Sequence, residues 1–174
     1  VLKVNAEGKL NIKLADMTRF GGNRSLAPAT GVSWNHAACF VNWLNTSSGF
    51  EPAYKVNARQ TLDYQVKAKD AFKYNDAFVP WDSTEAGFDP SHPLRNGKAK
   101  YFLPTVDEWY KAAYYDAQAD SGKGGYWRYP TGSNSPPRAV RFGTALNTAV
   151  YGQKPEIGPA DINNAGGTNP NGVV

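Results

Sequence analysis

The chain has 174 residues, a length at which one domain can bury a substantial core. Hydrophobic residues make up only 41%, whereas 17 Gly and 12 Pro predict many turns, so we expect a loop-rich α+β domain in which aromatic rings supply much of the buried surface. The net charge of +4 permits a polyanion partner, but acidic residues interrupt the basic runs and no recognition motif occurs, which argues against nucleic acid.

The first third of the chain is predicted to hold a strand pair and a helix. Val1–Val4 and Leu10–Leu14 suggest two strands joined through a Glu7-Gly8 turn. Ser33 has the position of an N-cap, and the polar residues 45–49 give a stop signal. Apolar residues lie on most sides of the intervening helix, so we expect it to be largely buried: Trp34, Ala37, Ala38, Phe40, Val41, Trp43 and Leu44.

Residues 50–100 have no long hydrophobic period. Tyr54–Val56 and Leu62–Ala68 suggest short strands. Proline and glycine interrupt the remainder, including the segment Val79–Asp82, and they indicate a turn or loop there. The pattern predicts a long loop that packs on itself.

The clearest local signal is the helix that follows Pro104. Thr105 and Glu108 have the spacing of a capping box, so we expect the helix to begin at Val106. Its apolar stripe includes Val106 and Trp109 and predicts that the Trp109 ring is in the core. After a glycine-rich turn, Tyr126–Tyr129 is predicted to form an aromatic strand.

Two groups of residues could carry chemistry. His36 and Cys39 are three apart on the first predicted helix, where an imidazole could activate a thiol, although a small buried cysteine is the favoured interpretation. Oxygen-bearing side chains in irregular C-terminal backbone could hold calcium or could cap turns: Asn147, Glu156, Asp161, Asn163 and Asn164. The single cysteine excludes an internal disulfide, and two histidines are too few for a histidine-rich metal site.

Five segments in order resemble the formylglycine-generating enzyme, or sulfatase-modifying factor, family. They are Gly31–Leu44 (GVSWNHAACFVNWL), Tyr101–Tyr115 (YFLPTVDEWYKAAYY), Tyr129–Gly132 (YPTG), Gly158–Asp161 (GPAD) and Asn164–Gly167 (NAGG). The last two are similar to the secreted-type bacterial branch. The resemblance implies a variant of the C-type-lectin fold, with two main helices packed on short antiparallel strands and an extracellular or periplasmic location.

The resemblance also bears on cofactors. In catalytic members a cysteine pair near the C-terminus binds copper and oxidises a substrate cysteine to formylglycine with molecular oxygen. Cys39 does not match that pair, and the segment that carries the pair in the family would follow the last residue of this chain. The family's first calcium site implies Asn147 as a ligand, with Glu156 or Asp161 as the acidic partner.

These features lead to two functional hypotheses for residues 1–174, which we expect to be a single domain that is incomplete at both ends. The first is a non-catalytic, exported domain that binds a protein or carbohydrate partner or has a structural role. The second is a fragment of a copper-dependent oxidase whose cysteine pair lies outside this segment. An iron-dependent sulfoxide-type synthase is disfavoured because it would need a histidine cluster.

Overall fold

A computed structural model describes residues 14–20, 22, 24–56 and 78–167, and these residues form two compact units. Of the described residues, 31–56 and 78–103 belong to the first unit, and 14–20, 22, 24–30 and 104–167 belong to the second. The strands predicted at Val1–Val4, at Leu62–Ala68 and over most of Leu10–Leu14 lie outside the described residues.

The first unit is built on helix α1 (Trp34–Ser47) and one antiparallel strand pair. The helix begins where predicted, because the Ser33 hydroxyl accepts a hydrogen bond from the His36 backbone N–H at 3.2 Å. Strands β1 (Lys55–Val56) and β2 (Phe78–Val79) pair with Lys55 opposite Val79. The prediction of a turn that includes Val79 was therefore wrong, since pairing with β1 holds this residue extended before Pro80 ends the strand.

The core of the first unit is small. Ala38, Val41, Ala53 and Tyr54 are buried, and Phe78, Ala99 and Leu103 pack against them. The expectation that α1 is buried on most sides was wrong, because only Ala38, Val41 and Asn45 of its residues are buried. Ala38 and Val41 are the residues of α1 in this core, whereas the rings of Trp34 and Phe40 are exposed. Trp34 packs edge-on against Tyr54 and Phe78, while Phe40 leans on Trp43.

The second unit begins with helix α2 (Val106–Tyr114), and its capping box is confirmed. The Glu108 backbone N–H donates to Thr105 Oγ1 at 3.2 Å, and the Thr105 N–H donates to Glu108 Oε2 at 2.9 Å. Strands β3 (Tyr115–Asp116) and β4 (Gly125–Tyr126) pair antiparallel around the short helical turn α3 (Ala119–Gly122). Of the predicted aromatic strand Tyr126–Tyr129, only Tyr126 is part of β4, and Tyr129 forms an isolated bridge with Ser133.

The C-terminal part of the second unit contains a parallel pair. Strands β5 (Arg138–Ala139) and β6 (Thr148–Ala149) run in the same direction, and a 3₁₀ helix follows at Pro155–Ile157. Beyond β6, the Val150 N–H donates to the Ala165 carbonyl and the Gly167 N–H donates to the Thr148 carbonyl, both at 3.1 Å. The α+β class is confirmed, whereas the expectation of antiparallel strands fails for β5 and β6.

The predicted core position of Trp109 was wrong. Its side chain is 53% exposed and that of Val106 is 81% exposed, whereas Ala113 is the buried residue of α2. The buried residue is in the last turn of the helix, from which the chain continues directly into β3, and the first part of the apolar stripe faces solvent. The amphipathic pattern located the apolar face but did not determine what covers it.

Thr105→Ala should lower the free energy of unfolding by about 1 kcal/mol, because the Glu108 N–H loses its cap. Trp109→Ala should lower the free energy of unfolding by much less than the ~3–5 kcal/mol expected for a buried tryptophan, because the ring is half exposed. Chemical denaturation followed by circular dichroism measures both values. If Trp109→Ala lowers the free energy of unfolding by several kcal/mol more than Thr105→Ala does, the Trp109 ring is part of the core after all.

Candidate functional site

Five rings of the second unit form a continuous row, which we call the aromatic surface: Trp109, Tyr110, Tyr114, Tyr115 and Tyr126. Tyr110 stacks on Tyr114, with ring centroids 4.7 Å apart, and on Tyr126 at 5.2 Å. Trp109 meets the edge of Tyr114 at 6.0 Å, and Tyr115 is tilted against Tyr126 at 5.2 Å. Aromatic pairs at such distances stabilise one another, so the row is organised before any ligand arrives.

Local structure explains how the rings come together. Tyr110 and Tyr114 are one helical turn apart on α2, and the register of β3 with β4 places Tyr115 opposite Tyr126. Gly124 lies at φ 80°, and a Cβ atom there would be only 2.3 Å from Tyr115 Oη. A side chain at position 124 would therefore displace the Tyr115 phenol from the row.

The aromatic surface is accessible. Trp109 is 53% exposed, Tyr126 50% and Tyr110 45%, while Tyr114 and Tyr115 are partly buried beneath them. Each ring has an apolar body, and each carries a polar atom, a phenol hydroxyl or the indole N–H. Three large rings exposed together in one row are a stronger indication of binding than scattered exposed side chains.

Charged groups beside the row are engaged in contacts within the unit. The Lys111 ammonium lies 5.6 Å from the centre of the Tyr115 ring. The Asp116 carboxylate accepts hydrogen bonds from the Trp127 indole N–H at 3.1 Å and from the Gln118 backbone N–H at 2.8 Å. Lys123 and Asp120 form an exposed ion pair at 3.7 Å. Both signs of charge are present, and neither dominates.

The residues predicted to bind calcium have separate local roles. Asn147 is exposed at φ 53°; its carbonyl accepts from the Arg138 N–H at 2.9 Å, and its Oδ1 accepts from the Thr131 hydroxyl at 3.4 Å. Glu156 is exposed in the 3₁₀ helix. Asp161 is partly buried, and its Oδ1 lies 3.3 Å from Arg24 Nε.

Arg24 forms an ion pair with Asp161. Its guanidinium also donates to the Pro159 carbonyl, so one cation already neutralises the acid and joins two segments of the unit. A calcium ion at Asp161 would compete with this cation for the carboxylate. Within the described part of the chain, no group of three His, Cys, Asp or Glu side chains has the arrangement of a metal site.

The predicted thiol site lies in the first unit. His36 and Cys39 are both partly buried on α1, and burial lowers the pKa of His36 below its ordinary value, which favours the neutral imidazole. The other histidine of the chain is also in the first unit, where His92 Nδ1 lies 3.0 Å from Asp89 Oδ2. Hydrogen bonding to His92 and to the Ser91 N–H lowers the pKa of Asp89, so the carboxylate stays ionised.

Sequence reasoning named Trp109 but missed the tyrosines that complete the aromatic surface. The spacing of Tyr110 and Tyr114 was a usable signal, because residues four apart share a helix face. The pairing of Tyr115 with Tyr126 depends on the two-stranded register and could not be predicted without it.

Comparisons with known protein families, with curated proteins and with solved structures find no match for this chain. None of the helices in the described ranges is long and apolar enough to cross a membrane.

Proposed function

We propose that this chain is a non-catalytic, exported binding domain related to the formylglycine-generating enzymes, with their variant of the C-type-lectin fold. The observation that carries the binding role is the exposed aromatic surface of the second unit. The relationship is supported by the five segments of sequence resemblance. The capping box at Thr105–Glu108 and the α1 helix that opens at Ser33 are consistent with it.

A ligand screen tests the binding role. The intact chain should bind members of an array of oligosaccharides and peptides, and the double variant Trp109→Ala/Tyr126→Ala should lose those ligands. Phe142→Ala is the matched control, because Phe142 is a 62% exposed ring of the same unit outside the aromatic surface. Melting curves establish that each variant is folded. If no ligand depends on the rings, the proposed function is wrong.

The chain should have no copper-dependent thiol-oxidising activity. Copper ligation in the resembling family takes two cysteines, and this chain has only Cys39. The assay incubates the protein with copper, oxygen and a cysteine peptide of the sulfatase type, and mass spectrometry detects formylglycine. A product that persists in Cys39→Ser would come from a contaminant. A product lost in that variant would show that Cys39 itself supports thiol oxidation, and the prediction would be wrong.

Calcium is proposed as a stabilising ion near Asn147, with Glu156 or Asp161 as the acid. A metal that binds only the folded state at a hundred times its dissociation constant adds roughly 2.7 kcal/mol, so calcium should raise the melting temperature and a chelator should reverse the effect. Magnesium should act less, because it requires tighter octahedral geometry. Asn147→Ala should abolish the response.

The Arg24–Asp161 pair provides a sharper version of the calcium test. If Asp161 is the acid, Arg24→Gln should free its carboxylate, and the calcium response should appear at lower concentration. If Glu156 is the acid, Arg24→Gln should leave the calcium concentration at half-maximal response unchanged. Glu156→Gln should then raise that concentration. A melting temperature that is indifferent to calcium in all four proteins would show that these residues only shape turns.

A further inference from the structure

We propose that Tyr110 and Tyr126 form an oxidative cross-linking site, where a peroxidase and hydrogen peroxide join the two phenol rings by a carbon–carbon bond. Tyr110 is on α2 and Tyr126 is on β4, and their rings stack with centroids 5.2 Å apart and planes 16° apart. Each ring therefore has its coupling partner in contact before any oxidant arrives. The reaction needs no bound ligand, so it does not depend on the proposed binding function.

The coupling is a two-electron oxidation of the chain. Each phenol loses one electron and its hydroxyl proton, which leaves a phenoxyl radical whose unpaired electron is shared with the ring carbons beside the C–O carbon. One such carbon from each ring forms the new bond, and the hydrogen that each carbon carried then moves to the oxygen of its own ring. Both hydroxyls are restored, and hydrogen peroxide takes up the two electrons and two protons to give two molecules of water.

Exposure favours Tyr110 and Tyr126 over the other tyrosines of the aromatic surface. The two residues are 45% and 50% exposed, so both can pass an electron to an oxidant at the surface. Tyr114, which stacks on Tyr110, and Tyr115, which is tilted against Tyr126, are partly buried. Two radicals held in contact also couple faster than radicals that must meet by diffusion. The bond between Tyr110 and Tyr126 should therefore be the main product.

Two exposed tyrosines outside the aromatic surface provide a comparison. Tyr101, in the first unit, is 38% exposed, and its ring centroid lies 6.4 Å from that of Phe50. Phenylalanine has no hydroxyl from which to form a phenoxyl radical, so this contact cannot couple. Tyr151 is 49% exposed, and its hydroxyl donates to the Pro137 carbonyl at 2.6 Å. Exposure alone would make Tyr151 as reactive as Tyr126, so Tyr151 separates the effect of stacking from that of exposure.

The new bond would join α2 to β4 and close a loop of residues 111–125. A covalent link of this kind lowers the conformational entropy of the unfolded chain, as a disulfide does. Cross-linked protein should therefore melt at a higher temperature than the untreated chain.

Peptide mapping of the oxidised protein tests the site. The intact chain is treated at low concentration with peroxidase and hydrogen peroxide, and dityrosine fluorescence follows the reaction. Trypsin, which cuts after lysine and arginine, then separates the rings into three peptides: 101–111 with Tyr110, 112–123 with Tyr114 and Tyr115, and 124–128 with Tyr126. Mass spectrometry should find 101–111 joined to 124–128, with the loss of two hydrogens.

Phenylalanine variants identify the residues that couple. Tyr110→Phe and Tyr126→Phe keep the stacked rings but remove the phenol, so each should abolish this peptide pair and the rise in melting temperature. Tyr114→Phe and Tyr151→Phe are the matched controls and should retain both. Melting curves recorded before oxidation establish that all four variants are folded.

Several results would overturn the site. It is wrong if 112–123 is the main partner of either peptide, or if the pair persists in Tyr110→Phe, which would implicate Tyr101 of the same peptide. Cross-links that form only between chains, seen as dimers on a denaturing gel, also overturn it, as does oxidised wild-type protein without dityrosine. The ligand screen decides the proposed binding function separately.

Discussion

Gly166→Ala should lower the free energy of unfolding by about 4 kcal/mol. Backbone strain and overpacking at this buried position together have a cost of about this size. Gly166 lies at φ 127°, a conformation that side chains disfavour, beside β6. A Cβ atom would come within 2.6 Å of the Thr148 carbonyl oxygen and 2.9 Å of Ala149 Cα. Both neighbours are backbone atoms of a strand, so they cannot rotate away as a side chain could.

Gly143→Ala is the matched control for this prediction. Gly143 has nearly the same backbone angle, φ 122°, but a Cβ atom there would meet nothing within 4 Å. Gly143→Ala should therefore lower the free energy of unfolding only by the cost of the strained backbone, about 1–3 kcal/mol. Denaturant titration of the two variants isolates the steric contribution as their difference. Equal losses would show that the segment Asn164–Gly167 does not pack against β6 as described.

Asn45→Ala should lower the free energy of unfolding by about 3–5 kcal/mol, because three hydrogen bonds between a fully buried amide and partly buried backbone groups are lost. Asn45 is 0% exposed, although it is polar. Its Oδ1 accepts from the backbone N–H groups of Lys100 at 3.2 Å and Tyr101 at 3.0 Å, and its Nδ2 donates to the Tyr101 carbonyl at 2.8 Å. One amide thus attaches the strand-like segment before Pro104 to helix α1.

Thr46→Ala tests whether the loss is specific to these bonds. Thr46 is the next residue of α1 and is exposed. Its hydroxyl donates to two carbonyls within the same helix, at 2.9 Å and 3.4 Å. Its replacement should change stability by no more than about 0.5 kcal/mol. Hydrogen exchange adds a local readout, since the Lys100 and Tyr101 amides should exchange faster in Asn45→Ala. Unchanged protection of both amides would contradict the prediction.

Local sequence chemistry was sufficient for both main helices. Ser33 and Thr105 are N-caps because each hydroxyl can reach a backbone N–H three residues later in the chain, and that geometry needs no tertiary contact. The α+β class also followed from composition, because frequent Gly and Pro restrict regular elements to short lengths.

Tertiary structure decided which faces are buried and which residues meet. The apolar stripe of α2 predicted a buried Trp109, but this ring is half exposed. An amphipathic pattern specifies which face of a helix is apolar, and it does not specify what covers that face. Asn45 is buried where its polarity predicted exposure, since Tyr101 supplies partners from 56 residues away. Asp161 pairs with Arg24 across a still longer separation in the chain. Each outcome depends on contacts between distant segments, which helical period, capping and composition do not encode.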